Sequence, residues 1–232
     1  MNQMENLRGN MSEHESACAR VTARFPQRWL RCYVGTKLRR DPVYLAAYEL
    51  FHRSDKPILD IGCGMGLLAF YLRERGCQQP ILGLDVDVRK IRQGMSIAQG
   101  RYADVDLRCQ DVQKSIPEFS GEIALFDMLH YLPVAEQTAL LSRLVKWVAP
   151  EGSLVIRDCP RDQSARFWMT YVAEKFAQTV SWNLNTPLHF PSRESIHEAF
   201  DEKEFERESR PLWGKSPFNN RLFVFTRIGA LL

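Results

Sequence analysis

Long apolar runs are what this sequence most clearly lacks. None of them approaches the roughly 20 consecutive apolar residues that a transmembrane helix needs, so no transmembrane segment is predicted over the 232 residues. Residues 1–15 also lack the apolar stretch of a signal peptide. We therefore expect a cytoplasmic protein.

Closely spaced cysteines are missing as well. The six cysteines lie far apart without any Cys-x-x-Cys pair, and the five histidines are scattered. A disulfide framework or a zinc site needs tighter spacing than this. The expected state is therefore six reduced thiols and no bound metal.

A large charge of one sign is absent too. The net charge of +3 is too small to argue for nucleic-acid binding, so no nucleic-acid partner is expected. The hydrophobic share of 45% and the charged share of 25% instead match an ordinary globular protein. The length suits one α/β domain with elaborations.

The N-terminal part of the chain has a mostly helical pattern. Pro26 interrupts it, and a second break is predicted near residues 34–36. A new helix starts at Asp41, which precedes a proline, because proline is favoured in the first helical turn. We interpret residues 1–53 as a helical cap on a main domain that spans residues 54–232.

The main domain has short apolar runs that alternate with helix-period stretches. Strands alternating with helices predict a doubly wound, mostly parallel sheet. Near the C-terminus two further strand candidates flank the turn at residues 216–220, and this hairpin predicts that the sheet has an antiparallel last strand. The seven strand candidates are residues 56–61, 81–85, 105–109, 122–127, 153–158, 205–213 and 221–228.

A glycine-rich loop follows the first candidate strand. Beyond Asp60, the residues Gly62, Gly64 and Gly66 occupy every second position. Glycine lets the backbone turn tightly and approach a ligand closely, and the following helix presents free N–H groups to an anionic group. A dinucleotide-binding loop would have its third glycine at the position of Leu67. The spacing therefore favours a ligand without a pyrophosphate, or only a tight strand-to-helix turn.

Two aspartates follow the next two candidate strands. Asp85 ends the second strand, where a carboxylate can accept hydrogen bonds from both hydroxyls of a ribose. Asp111 follows the third strand, where a carboxylate can accept from the exocyclic amine of adenine. Together with the glycine loop they predict an adenosine pocket at the carboxyl edge of the sheet. Either aspartate could instead be a helix cap.

Five segments resemble, in order and spacing, the motifs of class I S-adenosylmethionine-dependent methyltransferases: ILDIGCGMG, ILGLDVD, the Gln110-Asp111-Val112 turn, FDMLHYLP and APEGSLVIRD. The resemblance covers residues 56–158. It implies a Rossmann-like seven-stranded fold and S-adenosylmethionine as cofactor. It places Asp60 and the three glycines at the methionine end, Asp85 at the ribose, and Asp111 with Val112 at the adenine. Three neighbours complete the candidate cofactor site: Cys63, Val86 and Phe126.

Other stretches resemble the methyltransferases encoded beside bacterial aryl-polyene pigment genes. They are KLRRDPVYLAAYEL, LHFPSRE and PLWGKSPFNNRLFVF. This likeness implies a phenolic head group, or its precursor, as the small molecule that accepts the methyl group. Either O-methylation or ring C-methylation beside a hydroxyl would need a phenolate.

Candidates for acceptor chemistry follow the fourth and fifth strands. His130, Tyr131 and Asp158 lie where the acceptor should meet the cofactor, and His130 has a side chain suited to a general base. His130 and Tyr131 could instead only pack at the start of the next helix. The Asn/Asp-Pro-Pro-Tyr/Phe motif of nucleic-acid amino methyltransferases is absent here, which disfavours base methylation. Asp127 and Asp158 stand where related enzymes hold magnesium, but too few oxygen ligands accompany them.

A helical insertion at about residues 160–192 is predicted to cover the acceptor site. Its aromatic residues recur at helical spacing, a pattern that fits either core packing or a pocket for an aromatic acceptor. They are Phe167, Trp168, Tyr171, Phe176 and Trp182.

The cap contains a run of cations without any acidic residue between them. Arg20, Arg24 and Arg28 recur every four residues and would share one face of an unbroken helix, although Pro26 interrupts it. This face is either simply solvated or a docking site for an acyl carrier protein or a coenzyme A thioester.

Two other functions stay open at this stage. An NAD-dependent oxidoreductase is disfavoured by the missing third glycine and by the absence of a Tyr-x-x-x-Lys pair. A non-catalytic, cofactor-binding partner subunit of another methyltransferase would carry the same binding motifs, because intact binding residues do not prove turnover.

Overall fold

The computed structural model describes residues 3–114, 118–179 and 187–229, with side chains from residue 9 onward and without those of 177–179. Eight helices lie within these ranges: α1 Gln3–Ala23, α2 Arg28–Arg40, α3 Val43–Phe51, α4 Leu67–Glu74, α5 Val88–Ala98, α6 Val134–Val145, α7 Ala165–Thr179 and α8 Arg193–Glu198. A 3-10 helix spans Leu129–Tyr131. The strands are β1 Ile58–Ile61, β2 Ile81–Asp85, β3 Val105–Cys109, β4 Glu122–Phe126, β5 Ser153–Asp158, β6 Phe205–Pro211 and β7 Arg221–Arg227.

The strands form one sheet in the order β3-β2-β1-β4-β5-β7-β6. The first five are parallel, whereas β7 runs antiparallel to both β5 and β6. The predicted doubly wound sheet with its reversed last strand is therefore confirmed. Ile61 pairs with Leu84 and Leu125 on the neighbouring strands, so β1, β2 and β4 end at the same edge.

The alternation of side chains along the strands explains why helices cover both faces. All four residues of β1 are buried. Ile58 faces the hydrophobic cluster formed with α1 to α5, whereas Leu59 and Ile61 face the cluster formed with α6 and α8. Because neighbouring residues of a strand point to opposite faces, a continuously apolar strand needs this double covering.

The cap differs from the prediction in one respect. α2 runs without interruption through residues 34–36, so the second predicted break is wrong. Gly35 and Val34 lie on the buried face of α2, and a Cβ on Gly35 would meet Thr22 Cγ2 of α1 at 3.2 Å. The glycine therefore allows close packing of two helices rather than ending one.

The C-terminal elements follow the prediction closely. Ser192 caps α8, where its hydroxyl accepts from the Ser195 backbone N–H at 3.0 Å. α7 corresponds to the predicted aromatic helix, although Trp182 lies outside the described residues. Among the described helices, none is both long and apolar enough to cross a membrane.

Candidate active site

The glycine loop leaves β1 in a backbone conformation that suits glycine. Gly62, Gly64 and Gly66 all have positive φ, between 57° and 78°, where residues with a Cβ are strained. A Cβ on Gly66 would lie 2.9 Å from Leu107 Cδ1, whereas one on Gly64 would meet only Lys90 Cδ at 3.9 Å. The loop therefore packs against Leu107 at Gly66 and is open at Gly64, where a ligand can approach the backbone.

Asp85 ties the end of β2 to this loop. Its Oδ2 accepts from the Gly64 backbone N–H at 2.8 Å, and its Oδ1 accepts from the Asp87 N–H at 2.7 Å. The cap of α5 is Asp87, whose side chain accepts from the Arg89 N–H. Asp87, and not Asp85, is therefore the helix cap, and Asp85 positions the loop. The remaining lone pairs of Asp85 can still accept hydrogen bonds from a ligand.

Asp60 and Cys63, which are also predicted at the loop, both have buried side chains. Asp60 is 3% exposed, and burial together with the Asp85 charge raises the pKa of Asp60 to about 7. Cys63 points into the core, because a Cβ on Gly83 would lie 2.9 Å from its sulfur. Burial raises the pKa of the Cys63 thiol well above its ordinary value. Cys63 is therefore a small, unreactive side chain that faces the core.

The candidates for the adenine end lie beside β2 and β3. Val112 is buried, whereas Val86 is 46% exposed. Asp111 is partly exposed; its Oδ1 accepts from the Gln113 N–H at 3.0 Å and its carboxylate lies 3.6 Å from Lys114 Nζ. Asp111 thus stabilises a turn, and its predicted contact with adenine stays a prediction. Phe126 ends β4, and its carbonyl borders Gly62.

A polar group assembles over the ends of β4 and β5. His130, on the 3-10 helix, contacts Asp158 Oδ1 through Nδ1 at 2.8 Å. Asp158 is fully buried, and the same oxygen accepts from the Cys159 N–H at 2.7 Å. Tyr131 donates its hydroxyl to Glu174 on α7 at 2.6 Å. The structure thus brings all three predicted acceptor-site residues together, and it adds Glu174.

The charge state of His130 follows from these neighbours. Burial disfavours the imidazolium, but the Asp158 carboxylate and its hydrogen bond outweigh burial and raise the pKa of His130 to about 9. Glu174 and Asp127 add to this effect. Nδ1 is satisfied by Asp158, whereas the buried Nε2 has no hydrogen-bond partner among the described residues. Glu174 Oε2 lies 4.0 Å from Nε2.

Aromatic rings surround this group. Phe190 stacks on His130 with centroids 5.2 Å apart, and Phe167 and Tyr171 contact Phe190 in turn. On the outer face of α7, Trp168 and Phe176 are more than half exposed. Phe167 therefore packs inward beside the polar group, whereas Trp168 and Phe176 face outward. The pocket for an aromatic acceptor stays a prediction.

A second polar group joins the cap to the same edge. Arg157, 4% exposed, pairs with Asp127 and, at 3.0 Å, with Asp41. Asp127 has a φ of 52°, and burial raises its pKa to about 6 against the opposing charges of Arg157 and Lys37. Within the described residues, no group of three histidine, cysteine or carboxylate side chains is placed to hold a metal ion.

Arg20, Arg24 and Arg28 do not share one face of an unbroken helix. α1 ends at Ala23, before Arg28 begins α2. Arg20 binds Glu74 of α4 at 2.6 Å, and Arg24 lies 3.8 Å from the same carboxylate. Glu74 lies far from these arginines in the sequence. The cationic run therefore gives no sign of this acidic partner.

Two parts of the site were missed from the sequence. Glu174 was hidden in an aromatic helix, although it is the one acidic residue in α7. Asp41 was interpreted only as a helix start, a role it does fill through the Val43 N–H at 3.1 Å. Its second role, the pair with Arg157, depends on how the cap folds back over the sheet.

Comparison with known sequences identifies a family and partial relatives. The sequence model of the methyltransferase domain matches residues 28–209. Phosphoethanolamine N-methyltransferase 1 of Arabidopsis thaliana is 29% identical over 114 residues, which are 47% of this chain and 23% of that enzyme. The ubiquinone biosynthesis O-methyltransferase of Xanthomonas axonopodis pv. citri is 28% identical over 126 residues, 53% of this chain and 51% of that enzyme. The matches thus span about a quarter to a half of these relatives.

Solved structures agree on the fold. Magnesium protoporphyrin IX methyltransferase from Synechocystis PCC 6803, solved with S-adenosylhomocysteine, has a TM-score of 0.58 at 17% identity, with coverage of 98% of this chain and 88% of that one. The pyocyanin biosynthetic protein PhzM has a TM-score of 0.63 at 17% identity, covering 89% and 60%. Because the family match includes well over half of its 232 residues, the chain belongs to the methyltransferase domain family.

Proposed function

We propose that this chain is an S-adenosylmethionine-dependent methyltransferase acting on a small molecule with an ionisable hydroxyl. The observation that carries the proposal is the common edge of β1, β2, β4 and β5. At this edge the open glycine loop with Asp85 lies beside the buried His130–Asp158 pair. A cofactor site and an acceptor site therefore share one edge, as methyl transfer requires.

The glycine loop and Asp85 would hold the cofactor. The open backbone at Gly64 fits the methionine end, and Asp85 retains acceptor capacity for ribose hydroxyls. When bound, S-adenosylmethionine supplies an electrophilic methyl group on a sulfonium sulfur, and the sulfur keeps the electron pair of the broken bond. The chain's own tasks are to align the acceptor, to exclude water and to manage the acceptor's proton.

The acceptor site favours an aromatic ring bearing a hydroxyl. Phe190, Phe167 and Tyr171 offer ring faces, and His130 offers the polar contact. With a pKa of about 9, His130 is charged at neutral pH and would stabilise a phenolate. This chemistry supports the phenolic acceptor implied by the likeness to the aryl-polyene methyltransferases, and a place in pigment biosynthesis is proposed on that likeness alone.

A carrier-bound acceptor has weaker support. The cations expected to dock an acyl carrier protein or coenzyme A thioester include Arg20 and Arg24, and both face Glu74. We therefore propose a free small molecule as the acceptor.

Calorimetric titration with S-adenosylhomocysteine and with NADH tests the cofactor assignment. We expect the first to bind and the second not to. The Asp85→Ala variant should bind S-adenosylhomocysteine more weakly by roughly 1–3 kcal/mol, the range for hydrogen bonds to a charged group. Asp106→Ala, which removes an exposed aspartate on β3, is the matched control. Binding of NADH, or an unchanged dissociation constant in Asp85→Ala, would contradict this assignment.

A further inference from the structure

The proposed function leaves Glu174, a charged group near His130, without a task. It reaches the site from α7, accepts from Tyr131 Oη at 2.6 Å, and has its Oε2 4.0 Å from His130 Nε2. The charged or titratable groups around this imidazole are Asp158 from β5, Asp127 after β4, Tyr131 from the 3-10 helix and Glu174 from α7. Among the described residues, the Glu174 carboxylate is the one within 4.0 Å of Nε2.

His130 Nε2 needs an oxygen that this arrangement does not supply. The imidazole is 2% exposed, and Nε2 has no hydrogen-bond partner among the described residues. A buried, charged N–H without an acceptor is costly. The stacked Phe190 ring and the anchored Nδ1 fix the direction of Nε2. The missing partner is therefore an oxygen brought by a ligand, and an ammonium group, which has only donors, does not fit.

A hydroxyl placed between His130 Nε2 and Glu174 can hydrogen-bond to both. Its oxygen can accept from His130 Nε2–H while its proton points to Glu174. Such an oxygen, about 2.9 Å from nitrogen and about 2.7 Å from carboxylate with a tetrahedral angle, needs the two groups roughly 4.6 Å apart. The observed 4.0 Å is shorter by roughly half an ångström, so a bound hydroxyl would require α7 to shift outward by about that distance.

We propose that Glu174 is the proton acceptor for a phenolic hydroxyl, and that His130 holds the same oxygen as an imidazolium. The proton passes to a Glu174 carboxylate oxygen, and the electron pair of the O–H bond stays on the phenolate. That pair then bonds to the methyl carbon as the carbon–sulfur bond breaks toward sulfur. The inference rests on the proposed function and assigns its acceptor class and its base.

The absorption of bound 4-nitrophenol tests this without turnover. The phenolate form of this probe absorbs visible light and the neutral form does not. With the full chain saturated with S-adenosylhomocysteine, we expect the wild type to bind the anion. His130→Gln should raise the pH at which the bound probe ionises. Glu174→Gln should raise it as well, because the amide cannot take up the proton that the bound probe loses.

A comparison of two acceptors separates proton transfer from structure. Glu174→Gln should reduce kcat for unsubstituted phenol about 10²–10⁴-fold, the contribution of a general base, and should change kcat little for 4-nitrophenol, which is already ionised. Glu174→Gln can still accept from Tyr131, so a merely structural role would reduce both rates equally or neither. Glu198→Gln, at an exposed glutamate of α8, is the matched control.

The possible outcomes distinguish the two proposals. Equal losses for both phenols, or an unchanged ionisation of bound 4-nitrophenol in Glu174→Gln, would overturn the role of Glu174 alone. A wild type that binds S-adenosylhomocysteine but no phenol would overturn the acceptor class. A wild type that does not bind S-adenosylhomocysteine would overturn the proposed function itself.

Discussion

At the scale of single residues, the proposed acceptor site depends on one buried imidazole between two carboxylates. Asp158 holds Nδ1 of His130 at 2.8 Å, and Glu174 faces Nε2. Full burial of Asp158 makes its attraction for the imidazolium strong, because solvent does not screen it. The histidine is thereby a fixed cation at neutral pH rather than a ready base.

The titration of His130 gives a direct check on this point. Its pKa of about 9 predicts that the imidazolium persists through neutral pH and is lost as the pH rises through about 9. In Asp158→Asn the attracting charge is gone while burial still disfavours the cation, so the pKa should fall below that of the wild type. Histidine ring signals in an NMR pH titration measure both values.

His130→Gln assigns the His130 signal by removing it, and His197, whose pKa burial lowers instead, serves as the comparison. The stability contributed by charged His130 is fully present below its unfolded pKa of roughly 6.5 and disappears above about 9. A wild-type His130 that titrates near the unperturbed value would contradict the buried pair.

At the scale of elements, the turn from β1 into α4 fixes where the cofactor can lie. All three loop glycines have positive φ, yet only Gly66 is packed against a side chain from β3. The N-terminus of α4 begins directly after it. The loop thus combines a backbone conformation that requires glycine, close packing and a helix N-terminus in a few residues.

Alanine substitutions at two of these glycines should differ in cost. Gly64→Ala adds strain of roughly 1–2 kcal/mol from positive φ, with open space around the new Cβ. Gly66→Ala adds the same strain and a contact of 2.9 Å to Leu107 Cδ1, for a total of roughly 2–4 kcal/mol. Urea unfolding of both variants measures the difference. Equal losses would mean that Leu107 does not pack under Gly66.

Much of this element-level structure could be predicted from the sequence. The strands and the glycine loop are encoded by local patterns: apolar runs, turn residues and helix caps such as Ser192. The helix break near Gly35 was wrong, because a glycine on a packed helix face has the same sequence signature as a helix end. Glu174 and Asp41 could not be predicted, since their partners are more than forty and a hundred residues away.

At the scale of the whole molecule, the cap is fastened to the sheet at the active edge. Arg157 lies near the end of β5 and pairs with Asp127, which follows β4, and with Asp41 from the cap. Elsewhere in the cap, the half-exposed Arg20 binds Glu74. The buried ion pairs therefore hold the cap against the edge where we propose that the acceptor binds, and the more exposed pair adds little.

Arg157→Met should destabilise the chain far more than Arg20→Met. Removing Arg157 leaves two partly buried carboxylates unpaired, at a cost of roughly 3 kcal/mol. Arg20 has a half-exposed side chain, and loss of its pair should cost less than about 1 kcal/mol. Free energies of unfolding from urea titrations compare the two variants. Similar small losses would show that the cap is not anchored through Arg157.

The proposed activity of the whole chain is methyl transfer to a hydroxylated aromatic molecule. The most direct measurement incubates the purified chain with deuterated-methyl S-adenosylmethionine and extract from its own host, and follows labelled species by mass spectrometry. We expect a labelled, small aromatic product that disappears in Asp85→Ala. Cofactor binding without any labelled product would contradict it and would favour a binding subunit for another methyltransferase.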